Sequence, residues 1–180
     1  MSQTLKGLKR VVTGHHADGR SVVTLQKPPH DPVPGMGFGE IWGTDTTPAA
    51  LSGDEDVAQT KLLLEPPPCG TRFRYFVVAP EDSSVARDEM RALLDAGFEL
   101  LGAPHRRPDT SRHPAMHRTG TLDYVTVLSG QLTLLLDEGE VELHPFDTVV
   151  QRGTNHAFVN RSPEPALMTA VIIDASPTER

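Results

Sequence analysis

Residues 113–160 read HPAMHRTGTLDYVTVLSGQLTLLLDEGEVELHPFDTVVQRGTNHAFVN, and this stretch decides the fold. Short apolar runs alternate with turn residues. Val125 to Leu128 is followed by Ser129-Gly130, Leu132 to Leu136 by Asp137-Glu138-Gly139, and Val141 to Leu143 by His144-Pro145-Phe146-Asp147. Val149 and Val150 lead through Gln151 into Arg152-Gly153-Thr154-Asn155. Runs this short, broken by Gly, Pro, Asn and Asp, predict an all-β chain folded as an antiparallel barrel or jelly roll.

Alternation assigns the faces, because successive residues of a strand point to opposite sides. A strand through 112–119 puts His113, Ala115, His117 and Thr119 on one face and Arg112, Met116 and Arg118 on the other. The next strand gathers Asp123, Val125 and Val127, and a late one gathers His156, Phe158 and Asn160. The expected register turns His117 inward, since a slip of one residue would bury both Arg112 and Arg118. Tyr124 then lies on the face opposite Asp123.

These residues resemble the cupin family. Its first motif has a His-x-His pair, a carboxylate, six residues and a glycine. Here Asp123 is followed by six residues and Gly130, with Asp for the usual Glu; His117 stands at the first histidine and Thr119 at the second. The second motif has a glycine, a histidine, three residues and an asparagine, matched by Gly153, His156 and Asn160. Val150, Gln151 and Arg152 precede Gly153, so the motif's usual Pro-x-Gly lacks its proline. The likeness covers roughly the last third of the chain.

The resemblance implies a single cupin domain over 1–180, with a motif-bearing core at about 110–175 that N-terminal strands and a helix at 83–96 extend. It also implies that His117, Asp123 and His156 converge in the barrel as catalytic residues and as ligands of a divalent metal. Two imidazoles and one carboxylate suit iron, zinc, manganese or nickel and leave positions open for a substrate. On that reading the chain is a small-molecule enzyme for oxygenation, decarboxylation, lyase chemistry or isomerisation of an oxygenated organic substrate. Two further readings stay open. A metal-free pocket would use the same residues for isomerase, dehydratase or cyclase chemistry, with His117 or His156 as base. A non-catalytic barrel would only bind a small ligand. A structural role is open as well, with Asp123 accepting backbone donors and Asn160 tying down a turn. His113 shares the face of His117 but lies about 13 Å away along a strand, too far to share an ion.

The chain has 180 residues, enough for one domain with a core. A net charge of −7 argues against a broad nucleic-acid surface. No apolar run approaches a membrane span, and MSQTLKGLKR has no apolar core after it, so a cytoplasmic protein is expected. One cysteine, Cys69, excludes a disulfide framework and a Cys-rich zinc site, and reads as a small loop residue after Pro66-Pro67-Pro68. A homodimer is expected, because cupins pair through strand edges and edges need covering.

In chain order, Leu8–Thr13 and Ser21–Leu25 read as a hairpin with His15 and His16 in its exposed turn. The Pro- and Gly-rich stretch 27–37 is a loop. Gly37–Gly43 reads as a strand carrying Phe38, Glu40 and Trp42 on one face, with Trp42 packing in the core or flooring a pocket. A long loop covers 44–57, and Lys61–Glu65 is a short strand or edge. Arg72–Ala79 is a strand with Phe73, Tyr75 and Val77 on one face and Arg72, Arg74 and Phe76 on the other. If the second face lines the barrel, Arg74 becomes an anion anchor; if the first does, both arginines lie outside. Ser83–Ala96 reads as a helix with Met90, Leu93 and Leu94 on its stripe, Ser83 or Ser84 as cap and Gly97 as stop, packed outside the barrel. The basic stretch 105–118 is either a solvated loop or a rim that draws in an anion. Ala166–Ile173 is the last strand.

Overall fold

The computed structural model describes residues 5, 7–33, 35–53, 56–59 and 62–175. Strands β1 (Arg10–His15) and β2 (Ser21–Lys27) form a separate antiparallel hairpin. Strands β3 (Phe38–Thr44), β4 (Thr71–Val78), β5 (Thr121–Ser129), β8 (Thr148–Arg152) and β10 (Ala166–Asp174) form a five-stranded sheet in the order β3-β4-β10-β5-β8. Strands β6 (Leu132–Leu136), β7 (Glu140–Leu143) and β9 (His156–Val159) form a three-stranded sheet in the order β7-β6-β9. Every pairing is antiparallel. The class is therefore the expected all-β one, to which the helix α1 (Arg87–Leu100) is added. Among the described residues, no helix is long and apolar enough to cross a membrane.

The two sheets face each other, and apolar alternation fills the space between them. Val125 and Val127 of β5, Leu132 and Leu134 of β6, and Met168, Ala170 and Ile172 of β10 form one buried cluster. Tyr124 is half exposed, as its position on the outer face of β5 requires. Strand β6 is apolar on both faces because both are covered. Its outer residue Leu135 packs with Met116, Ala157 and Val159, so the segment before β5 forms a lid over the smaller sheet.

That segment corrects one expectation. Residues 113–119 form no strand; a single antiparallel bridge, His117 to His156, is all the pairing there is. Alternation therefore fails locally, and Met116 is fully buried while Arg118 is exposed. His113 is held away by a 2.7 Å contact from Nε2 to Glu81.

The helix also differs. It begins four residues later than expected, at Arg87, and its N-cap Ala86 makes no side-chain bond. Ser84 is captured instead by Asp82, whose Oδ1 accepts from both the Ser84 amide and its hydroxyl. A local turn thus competes successfully for the capping residues. Gly97 lies inside the helix, and the stop is Gly102 at φ 69°, where Gly102 N–H donates to Glu99 O and Ala103 N–H to Phe98 O. Leu62 and Leu64 form no strand; they pack on Phe98 and Leu101 at the end of α1. The helix covers an opening between the sheets and supplies one wall of a cavity.

Strand β4 turns its Arg72–Arg74–Phe76 face inward. Arg74 is 1% exposed, with Nε 2.8 Å from Glu40 Oε1 and its amino groups donating to Leu63 and Leu64 carbonyls. Its charge is consumed by Glu40, so it is a structural staple and not a free anion anchor. Trp42 is half buried beside Phe73 and lies outside the cavity. Cys69 sits in an exposed loop, where its amide donates to Asp174.

Gly130 and Gly139 provide a test of the turn geometry. Both have positive φ, but a Cβ at Gly130 would lie 2.7 Å from Ala166 Cα, whereas nothing lies within 4 Å at Gly139. Gly139→Ala is expected to cost about 1–2 kcal/mol in urea unfolding, from backbone conformation alone. Gly130→Ala is expected to cost roughly 1–3 kcal/mol more, because the start of β10 must move.

Candidate functional site

The cavity between the sheets has a volume of about 700 Å³. Strand β5 contributes Thr121, Asp123 and Val125; β9 contributes His156 and Phe158; β10 contributes Met168, Ala170 and Ile172. Helix α1 contributes Leu93, Leu94, Gly97 and Phe98, and the loop at 35–37 closes the far side. Among the described residues, His117, Thr119, Thr121, Asp123 and His156 are the only polar side chains on the lining. His117, Asp123 and His156, picked out from the sequence, thus all face one space.

The two imidazoles are adjacent. His117 and His156 exchange both backbone hydrogen bonds, each 2.9 Å, so their side chains leave the bridge on the same face. Their ring centroids are 4.4 Å apart with planes at 45°. His117 Nδ1 lies 3.0 Å from Ala115 O, and His156 Nδ1 lies 2.9 Å from Thr154 O. A carbonyl only accepts, so each Nδ1 carries the proton and donates. The lone pair of each ring is thereby at Nε2, the arrangement seen for imidazoles that ligate metals or act as bases.

Burial keeps both rings neutral. It lowers the His156 pKa to about 3, with the neighbouring His117 adding to the effect and the Thr154 carbonyl opposing it. The His117 pKa is also lowered, first by burial, against the Ala115 carbonyl and with help from the Arg107 charge. Arg107 lies 5.1 Å from the centre of the Phe98 ring, and Phe98 lies 5.1 Å from His117. Phe98 and Arg107 thus back the His117 ring. The apolar i, i+3 pair Phe98 and Leu101 was the sequence signal that could have placed Phe98 on this wall.

Asp123 is buried at 9% exposure, and its Oδ1 has no hydrogen-bond partner. Burial pushes its carboxyl up to about 6, against the Thr121 hydroxyl and the Arg74 charge and with the Glu65 charge. Thr121 Oγ1 lies 2.7 Å from Thr119 Oγ1 and donates to it. Thr121 shares the face of Asp123 two residues on, a period-two signal legible in the sequence.

The residues fit a divalent ion in kind. Two neutral imidazoles offer Nε2, and a buried carboxylate oxygen lacks a partner. Among the described residues, however, no three His, Cys, Asp or Glu side chains are gathered at metal-binding spacing. His117 and His156 form a pair by their bridge and ring contact.

Other candidates lie elsewhere. Asn160 is fully buried and structural: it donates to Val78 O and Glu164 O and accepts from Ser162. The basic stretch is largely spent on staples. Arg106 pairs with Glu65, Arg107 with Asp95 and the Pro114 carbonyl, and Arg112 with the Leu136 and Gly139 carbonyls. His15 and His16 are exposed in the hairpin turn.

Asp123 and His156 pull the pH dependence of stability in opposite directions. Asp123 has a raised folded pKa, so its contribution is complete below its unfolded value near 3.8 and is lost as pH rises through about 6. His156 has a depressed one, so its contribution is complete above 6.5 and is lost as pH falls toward about 3. Asp123→Asn is expected to remove the first effect only. In chelator-treated protein its stability relative to the parent should rise by about 3 kcal/mol between acid and neutral pH, read by urea unfolding at each pH.

The cupin-domain family profile matches residues 105–172. The phomopsin biosynthesis cluster protein D of Diaporthe leptostromiformis is 32% identical over 99% of this chain and 84% of its own. The cupin-domain-containing oxidoreductase fogC of Aspergillus ruber is 31% identical over 96% of this chain and 76% of its own. A solved cupin-2 conserved barrel protein from Salinispora arenicola is 19% identical over 58% of this chain and 64% of its own, with a TM-score of 0.37. The chain, with its motifs on one cavity between antiparallel sheets and a relative of cupin name across nearly its whole length, belongs to the cupin family.

Proposed function

We propose that the protein is a small-molecule enzyme whose reaction takes place in this cavity, with a divalent metal held by Nε2 of His117 and His156. The observation that carries this reading is the paired Nδ1–H anchoring, which leaves two neutral lone pairs side by side on one wall. A bound ion would supply Lewis-acid or redox chemistry suited to an oxygenated organic substrate. The oxidoreductase name of the Aspergillus ruber relative supports the redox class.

The chain's own residues then have distinct tasks. His117 and His156 bind, and their backbone-anchored rings keep one orientation. Asp123, with a carboxyl near 6, holds or releases a proton at Oδ1 at neutral pH, or completes the ligand set. Val125, Phe158 and Met168 exclude water around it.

The buried, unpartnered Oδ1 of Asp123 favours a second reading. Here one Nε2 takes a proton from the substrate and Asp123 returns one, giving isomerase, dehydratase or cyclase chemistry without metal. Metal analysis of protein purified without added metal separates the two. The first reading expects about one divalent ion per chain, or uptake of one in a zinc titration, and its loss in His156→Ala. Protein that neither carries nor takes up metal, yet loses turnover in Asp123→Asn, would establish the second. A barrel that only binds would keep its ligand and show no turnover to lose.

A homodimer belongs to the same proposal. Strand β8 ends the larger sheet, and Val150 on it is 59% exposed beside Tyr124 of β5. Light scattering at micromolar concentration is expected to give twice the chain mass; the monomer mass would remove this part of the reading.

A further inference from the structure

The composition of the cavity wall restricts what can enter it. Among the described residues, no lysine, arginine, glutamate, asparagine or glutamine lines it. Its polar groups come from β5, β9 and the segment 117–119, and apolar surface comes from α1, the 35–37 loop and β10. Arg74 is held by Glu40, and its amino groups donate to the Leu63 and Leu64 carbonyls. Arg106, Arg107 and Arg112 of the basic stretch that could have formed a cationic rim are bound to carboxylates and carbonyls of the chain.

An anionic substrate would meet no cationic side chain among these described lining residues and would face Asp123, so without a bound metal its desolvation would go uncompensated. A cationic one would meet a single buried carboxylate, and one contact rarely repays the dehydration of both ions. A sugar would leave its hydroxyls unpaired along the apolar walls. At about 700 Å³ the space suits a drug-sized organic molecule.

From these observations we infer that the chain itself selects an uncharged, largely apolar, ring-sized molecule whose oxygen function lies toward His117, Thr119, Asp123 and His156, a bound metal adding affinity for a carboxylate only through the metal itself. The inference rests on the reading of this cavity as the reaction chamber. Asp123 Oδ1, buried and unpartnered, is the acceptor or, when protonated, the donor that such an oxygen function would meet.

Three probes of one ring system test it: 2-naphthol, 2-naphthoate and 2-naphthylmethylamine, with glucose 6-phosphate as a polar control. Calorimetric titration would be run on the protein as purified and again after chelation, so that a carboxylate–metal bond is not mistaken for recognition. 2-Naphthol is expected to bind at least about tenfold tighter than either charged probe, with no heat from the sugar phosphate. Leu93 lines the cavity yet is 65% exposed, so Leu93→Lys should leave folding intact. It is expected to tighten 2-naphthoate several-fold by placing a cation at the wall. Equal or tighter binding of a charged probe by the chelated parent protein would overturn the inference, as would no binding of 2-naphthol. An unchanged affinity of Leu93→Lys for 2-naphthoate would also overturn it. Metal content and turnover are read separately, so the chemistry assigned to the histidines can fail while the preference holds, and the reverse.

Discussion

Two backbone hydrogen bonds between His117 and His156 organise the functional wall. They are long-range in sequence and involve a residue outside any strand. A residue pair that exchanges both bonds projects its side chains together, so the bridge determines that two imidazoles share a face. It also draws Met116 onto the outer face of the smaller sheet, where it is fully buried. The rings and that apolar lid are thus two results of one connection. Gly153 makes room nearby: a Cβ there would come within 3.0 Å of Thr119 O.

Around this bridge the wall is electrically quiet. Burial drives the imidazoles toward neutrality and the Asp123 carboxyl toward its protonated form. Both tendencies reduce the charge that a closed apolar space must carry. The strong ion pairs of the molecule sit outside the cavity lining. Arg74 with Glu40 ties the 63–64 loop to β4, and Arg10 with Asp56 anchors the first hairpin at its base. Charge therefore serves the frame, while the chamber keeps polar atoms that are neutral or poised.

Where one strand face is buried and the other wet, the sequence was readable. Asp123, Val125 and Val127 inside with Tyr124 outside follow directly from alternation. The same holds for His156 and Phe158 on β9. Three things were hidden. The run 113–119 looks like a strand by alternation, but Pro114 removes a ladder donor and Glu81, far away in sequence, takes His113. The serines before α1 looked like caps, but Asp82 holds Ser84 in a local turn. Arg72 and Arg74 looked like surface residues, because their partners Asp45 and Glu40 lie on other segments and only the fold brings them close. Of the site, the membership of His117, Asp123 and His156 in one cavity was legible from the motifs. The spacing of Asp123 from the imidazole pair was not, since it depends on how far the sheets stand apart.

The two sides of the chamber come from different parts of the chain. The reactive groups sit on β5, β9 and the bridged segment between 117 and 123, whereas α1 and the loop at 35–37 supply facing apolar surface. Gly97 of the helix approaches that loop through Met36, so these two parts meet each other without passing through the imidazoles. Drift in Leu93, Leu94 or Met36 would thus change which molecules are admitted while sparing the groups that act on them. Each side of the cavity can therefore change in sequence with little constraint from the other.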